Sequence, residues 1–379
     1  MIYIIMRKEL IGSVKRAVVK IGSGVLTAKE GLNIAAIERI ASEIAAVKER
    51  GIEFVIVSSG AIAAGVPKLG FKEKPAAMAE LQAAASVGQT SLMRAYERYF
   101  EKHGIVVGQI LLTNRDLSYR HRFLNAKNTI SALLGLGIIP IINENDTVVV
   151  DEIRLGDNDF LAAQTINLVE ADLLLMLTDT AGFYDKDPNL HDDAKLISVV
   201  KNIKREASHL AADTSTSMGI GGMKTKVEAA QMAVEMGIPA IIGSGVREGS
   251  IVDIFNTKDV GTLFLPKKVG MKSKKYWIRY SPKVTGTIEV DEGAFKAIVN
   301  GGKSLLPGGI VMITGNFKEK EIVSLTGPEG DEFARGQVNY NYHDLMEIKG
   351  KKTGEIERRN GDKHPDEVVH RDNLVLIHR

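Results

Sequence analysis

Six segments of the chain concentrate residues able to handle phosphate groups and small polar substrates. Lys20 precedes Gly22-Ser23-Gly24, where glycines would let backbone N–H groups close on an anion and the lysine would add a point charge for oxygens in transfer. Taken alone, the segment also reads as a surface lysine before a glycine turn. Ser58-Ser59-Gly60-Ala61 continues through small residues to Gly65, offering hydroxyls and bare backbone to a ligand, or a cap and a stop to a helix. Asn143-Glu144-Asn145-Asp146 and Gly156-Asp157-Asn158-Asp159 are dense in carboxylates and amides. These could hold the ammonium group of an amino acid, and an aspartate could orient lysines around a phosphoryl group. A cation site or helix caps are the alternatives, although the twelve-residue calcium-loop pattern is missing. Thr178-Asp179, followed by Phe183 and Tyr184, could surround a ribose and a base, or form a capped turn. Lastly, Ile220-Gly221-Gly222-Met223-Lys224-Thr225-Lys226 leads from a glycine-rich loop into a helix. Lysines in a first helical turn oppose the helix dipole unless an anion sits there.

The elements needed to position these segments are legible in the hydrophobic pattern. From Arg16 to about Phe264, short β-branched runs alternate with helical periodicity, which predicts a parallel sheet covered by helices. Ala17 to Ile21, Phe54 to Val57, Ile105 to Leu112, Ile138 to Ile142, Leu173 to Leu177 and Ala240 to Ile242 read as strands. Ile37, Ile40, Ile44 and Val47 recur at helical spacing, an alanine-rich helix follows Pro75, and another spans Gly222 to Met236. Open sheets of this kind bind ligands at the carboxyl ends of their strands, where the polar segments fall. Lysines and Gly270 accumulate after Lys258, predicting a solvated connection over 265–276 between a first domain at 14–264 and a second at 277–379. Beyond Trp277, short strands separated by glycine turns predict a compact β-rich domain. Met1 to Met6 is too short an apolar stretch for a secretory signal, and the first five residues, read as an extension ahead of an alternative start at Met6, are expected to have no role.

Composition narrows the function classes. With 49 basic against 47 acidic side chains, the net charge of +2 provides no long-range field for gathering nucleic acid or anionic membrane. The absence of cysteine removes disulfides, thiolate metal sites and a cysteine nucleophile, in keeping with a cytoplasmic setting. No apolar run is long enough to cross a bilayer.

Taken in order, Lys20-Ile21-Gly22-Ser23, Ser59-Gly60-Ala61, Asn143-Glu144-Asn145-Asp146, Gly156-Asp157-Asn158-Asp159, Leu177-Thr178-Asp179 and Gly221-Gly222-Met223-Lys224-Thr225-Lys226 resemble the glutamate 5-kinase family. Trp277-Ile278, the 290–294 segment, Ser304-Leu305-Leu306-Pro307 and His370-Arg371-Asp372 resemble its carboxyl-terminal PUA domain. The resemblance implies an α/β amino acid kinase fold, a mainly parallel sheet sandwiched by helices, with a smaller β-rich PUA domain. It further implies ATP-dependent phosphorylation of the side-chain carboxylate of L-glutamate, the first step toward proline, with Mg2+ accompanying ATP. Feedback inhibition by proline at or beside the glutamate site and a homo-oligomer are implied as well. By the same resemblance, Lys20 and Lys226 neutralise the transferring phosphoryl group and Asp159 holds both lysines. Ser59, Asp146 and Asn158 hold glutamate, with Asn143 supporting them. Thr178, Asp179 and the run Ile220, Gly221, Gly222, Met223, Lys224, Thr225 and Lys226 hold the nucleotide, alongside Lys20. No side chains are assigned to a metal. The chain departs from the family pattern at Gly24, where serine is common, and at Ile220, where some relatives have threonine.

Kinases of the same fold acting on aspartate, acetylglutamate, carbamate or uridylate are the nearest competing reading, and the appended domain argues against them. An RNA-binding role, suggested by PUA domains elsewhere, is not expected, because acidic side chains slightly outnumber basic ones after Trp277.

Overall fold

In the computed structural model, the described residues are 2–148, 157–206, 222–280, 284–356 and 365–377. They form two compact units, Met1–Gly270 and Met271–Arg379. The described residues of the first contain ten strands: β1 (Arg16–Ile21), β2 (Thr27–Ala28), β3 (Gly31–Leu32), β4 (Glu53–Val57), β5 (Val107–Leu112), β6 (Ile139–Glu144), β7 (Leu173–Thr178), β8 (Val199–Val200), β9 (Ala240–Ser244) and β10 (Thr262–Phe264). Eight of them make one sheet in the order β5-β6-β4-β1-β7-β9-β10-β8, and β2 and β3 pair separately as a hairpin. Every neighbouring pair in the large sheet is parallel except β9 and β10. The very short β8 and β10, and the reversal between β9 and β10, were not expected from the sequence. Two or three residues are too few to display a periodicity.

The helices used below are α1 (Ile2–Gly12), α2 (Ser23–Leu26), α3 (Ile34–Lys48), α4 (Ala61–Gly65), α5 (Met78–Glu101), α6 (Asp157–Val169) and α7 (Met223–Glu235). Strands buried on both faces need nearly continuous apolar sequence, and β7 meets that need with Leu173-Leu174-Leu175-Met176-Leu177. Val19, Ile21, Phe54, Ile56, Leu175 and Leu177 pack in one cluster with Ile37, Ile40 and Ile44 of α3. Asn33 starts that helix by accepting a hydrogen bond from the Ala36 N–H. Against this background Lys20, in the central strand yet only 5% exposed, is the anomaly, because a buried ammonium requires a partner.

Chain order reverses around β1, whose neighbours β4 and β7 lie on either side. A crevice beyond the carboxyl ends of these strands is the site such a switch creates. The opening residues lead into a helix whose anchor lies at Arg7. That helix is α1, whose buried Arg7 guanidinium donates to the carbonyl oxygens of Lys258 at 2.9 Å and Val260 at 2.7 Å.

The second unit has a five-stranded sheet in the order β12 (Ile310–Gly315), β11 (Gly286–Val290), β13 (Ile322–Thr326), β14 (Glu332–Gln337), β15 (Leu374–Leu376). Only β11 and β13 are parallel. Ile288, Val290, Ile313, Val323 and Leu325 form its core with Phe317 and Phe333. Helix α8 (Ser273–Tyr280) begins inside the stretch read as a solvated connection, because Tyr276 and Ile278, just after Lys274 and Lys275, are fully buried. Among the described residues, no helix is long and apolar enough to cross a membrane.

Candidate active site

Four strand exits supply the site. Lys20 stands one residue before the end of β1, in register with Val57 of β4 and Met176 of β7. Ser58 and Ser59 follow β4, Asn143 and Glu144 close β6, and Thr178 closes β7 with Asp179 just beyond. The first turns of α6 and α7 add Asn158 and Asp159, and Thr225 and Lys226.

Asp159, 1% exposed, is the junction. Its Oδ1 lies 2.6 Å from Lys20 Nζ and its Oδ2 lies 3.4 Å from Lys226 Nζ. The Thr225 hydroxyl donates to the same Oδ2 at 2.7 Å, and Lys226 also donates to the Gly222 carbonyl at 2.9 Å. Burial pushes the Asp159 carboxyl up, but attraction to Lys20 and Lys226, with hydrogen bonds from Lys20 and Thr225, holds it below the usual carboxylate range. Burial pushes the Lys20 ammonium down, Asp159 opposes that shift, and the nearby Lys226 charge adds to it. One carboxylate thus serves two ammonium groups, leaving an excess positive charge where an anion would be stabilised.

The loop after β1 runs between these charges and β7. The Gly22 N–H donates to the Leu177 carbonyl at 3.0 Å. A Cβ added at Gly22 would come within 3.7 Å of Lys20 Nζ, and one at Gly24 within 3.2 Å of Asp179 Oδ2. A serine at position 24 would therefore press on that carboxylate. Thr178 donates its hydroxyl to Asp179 Oδ1 at 2.9 Å, while Asp179 itself is exposed. Met223 is half-buried and Lys224 faces solvent. Ile220 and Gly221 lie outside the described residues, as does Gly156.

A second, uncharged network adjoins the first through α6. Asn158 Nδ2 donates to Ser59 Oγ and to Asn143 Oδ1, each at 3.2 Å. Asn143, 1% exposed, also accepts from the Glu144 N–H at 2.9 Å and donates to Gln89 Oε1 of α5 at 2.8 Å. Ser58 shares a 2.9 Å hydrogen bond with Tyr96, also from α5. Asp146 is half-buried two residues beyond β6. The structure therefore unites Ser59, Asn143 and Asn158 in one network and Lys20, Asp159 and Lys226 in another. Sequence reasoning passed over Gln89 and Tyr96. The available signal was a pair of polar side chains seven residues apart on an alanine-rich helix, a spacing that puts both on one face.

Helices α4 and α5 meet at backbone distance beneath the Ser59 turn. A Cβ added at Gly65 would fall 1.8 Å from the Ala84 carbonyl oxygen, and one at Gly88 would fall 1.8 Å from that of Ala61. Only glycine permits that approach, and it brings Gln89 of α5 to Asn143.

Residues 15–244 match the amino acid kinase family, and residues 286–359 match the PUA domain. The glutamate 5-kinase of Pelobacter propionicus is 48% identical over 98% of this chain and 100% of its own length. That of Moorella thermoacetica is 46% identical over 96% of each. Among solved structures, carbamate kinase from Giardia lamblia bound to AMP-PNP superposes with a TM-score of 0.50 at 17% identity, covering 68% of this chain and all of the other, which bears on fold alone. Near-full-length likeness at this level, spanning both domains, is decisive: the chain belongs to the glutamate 5-kinase family within the amino acid kinases.

Proposed function

We infer that this protein transfers the γ-phosphoryl group of ATP to the side-chain carboxylate of L-glutamate, giving L-glutamyl 5-phosphate and ADP. The observation that carries the reading is Asp159 joined to two buried lysines from distant parts of the chain, in a chain whose near-full-length relatives are glutamate 5-kinases. A γ-carboxylate oxygen attacks the γ-phosphorus as the bond to the bridging oxygen of ADP breaks. The nucleophile is already ionised at neutral pH, so no general base is needed. What remains is positioning and stabilisation of charge on the transferring group. Lys20 and Lys226 supply the charge, and Asp159, with Thr225 on its second oxygen, fixes both amines before the substrates arrive. Arginine would not replace either lysine well, because a planar fork cannot occupy the place of a compact ammonium.

In this reading, Ser59, Asn143, Asp146 and Asn158 bind glutamate. The Gly22 loop, Thr178, Asp179 and the run from Ile220 to Lys226 receive the nucleotide. The ammonium-rich donor set suits a polyphosphate, and no group of three or more His, Cys, Asp or Glu able to hold a metal occurs among the described residues. Magnesium, held by the nucleotide's phosphates, would supply further neutralisation of their charge. Feedback inhibition by proline at or beside the glutamate site, a homo-oligomer and a cytoplasmic setting belong to the same proposal.

ADP release measured with glutamate, aspartate, acetylglutamate, carbamate and uridylate, with hydroxylamine trapping the acyl phosphate, tests it. Glutamate is expected to be the preferred acceptor and to yield the hydroxamate. Faster turnover with another acceptor would overturn the reading.

A further inference from the structure

The orientation of the amides next to Ser59 follows from chemistry. The Glu144 backbone N–H can only donate, so the Asn143 atom facing it at 2.9 Å must be the carbonyl oxygen. The Asn143 NH2 group is thereby turned toward Gln89, which must answer with Oε1 at 2.8 Å. Asn158 likewise must turn its NH2 group toward Asn143 Oδ1 at 3.2 Å. Two polar atoms are left over at the ends of this chain of amides: the donor Gln89 Nε2 and the acceptor Asn158 Oδ1. Both are buried and neither has a hydrogen-bond partner among the described residues.

Leaving such groups buried without partners costs free energy. Gln89 is 9% exposed and directly follows Gly88, the residue at the backbone-close crossing of α4 and α5. One surplus donor and one surplus acceptor flanking Asn143 match the head of an α-amino acid, whose carboxylate needs donors and whose ammonium needs acceptors.

Building on the glutamate reading above, the geometry points to Gln89 as a substrate-binding residue, its Nε2 donating to the α-carboxylate of the acceptor amino acid. Asn158 Oδ1 takes the ammonium group. Gln89 then selects for a free α-carboxylate, while the lysines at Asp159 act on the opposite end of the substrate.

The test compares L-glutamate, as substrate, with its α-amide, as substrate or competing ligand, for the wild type, Gln89→Met and Gln89→Glu. Gln89→Glu keeps an acceptor for Asn143 but removes the donor and sets a second carboxylate oxygen against the substrate. Gln89→Met loses both. In each variant the KM for glutamate is expected to rise roughly tenfold or more, as for loss of a hydrogen bond to a charged group. The KM for ATP should stay within about twofold, and the preference for glutamate over the α-amide should shrink. Should Gln89→Met fail to fold, Gln89→Glu carries the test, and a matching thermal midpoint establishes its fold. Equal weakening toward glutamate and the α-amide would mean that Gln89 only supports Asn143, and would overturn the assignment. An unchanged KM for glutamate in Gln89→Glu would overturn it too. Failure of the wild type to form γ-glutamyl hydroxamate would instead remove the glutamate reading itself, so the two failures are distinguishable.

Discussion

Asp159 divides one negative charge between two buried ammonium groups, and its replacement exposes both of its tasks. In Asp159→Asn, the loss of fixed lysine positions is expected to lower kcat by about a hundredfold or more in an ADP-release assay. The same change leaves Lys20 and Lys226 without a counter-charge, so urea titration should also show a loss of about 3–5 kcal/mol. A variant that kept its turnover would remove Asp159 from the machinery. The two charge types also set opposite pH limits. Lys20 is depressed by burial, so kcat should fall along an alkaline limb that begins below the ordinary lysine value of about 10.4. Asp159 lies below the usual carboxylate range. Its contribution to stability is therefore complete above the unfolded value of about 3.9 and is lost as the pH falls through the lower folded value. Unfolding midpoints measured from pH 6 downward should drop more steeply for the wild type than for Asp159→Asn. Parallel curves would contradict the pairing.

Among the elements, the crossing of α4 and α5 and the anchoring of α1 make separate demands. Gly88→Ala would drive a methyl group into the Ala61 carbonyl. Because backbone on both sides must shift, the expected loss is about 1–3 kcal/mol or more in denaturant titration, with a raised KM for glutamate as Gln89 and Ser59 move apart. A neutral Gly88→Ala would mean that the crossing is looser than described. Arg7→Ala removes the guanidinium that donates to the Lys258 and Val260 carbonyls, and about 1–3 kcal/mol should be lost, with little change in kcat. Most strands and long helices were legible in sequence because apolar runs and helical spacing are local properties. The helix crossing was not, since a glycine in an alanine-rich helix gives no indication of which backbone it will touch. Arg7 was likewise unreadable, its acceptors being carbonyls that any sequence could provide.

At the scale of the whole molecule, the assigned side chains all precede the second compact unit, which begins at Met271. A protein comprising residues 1–270 is expected to fold and to retain phosphoryl transfer within roughly tenfold of the full chain, since a unit with its own core can stand alone. Loss of turnover in a folded fragment would place the second unit within the working assembly.

The sequence by itself determined the alternation of strands and helices, the polar groups gathered at strand ends, and the lysines in the first turn of a helix. These are set by residue types close together along the chain, and the family resemblance added roles for Lys20, Asp159 and Lys226. Only the tertiary structure decided that Asp159 meets both amines with different oxygens, that Thr225 joins them, and that α5 brings Gln89 to Asn143. Contacts between segments far apart in sequence depend on strand register and the closeness of helix packing, and neither has a local signature.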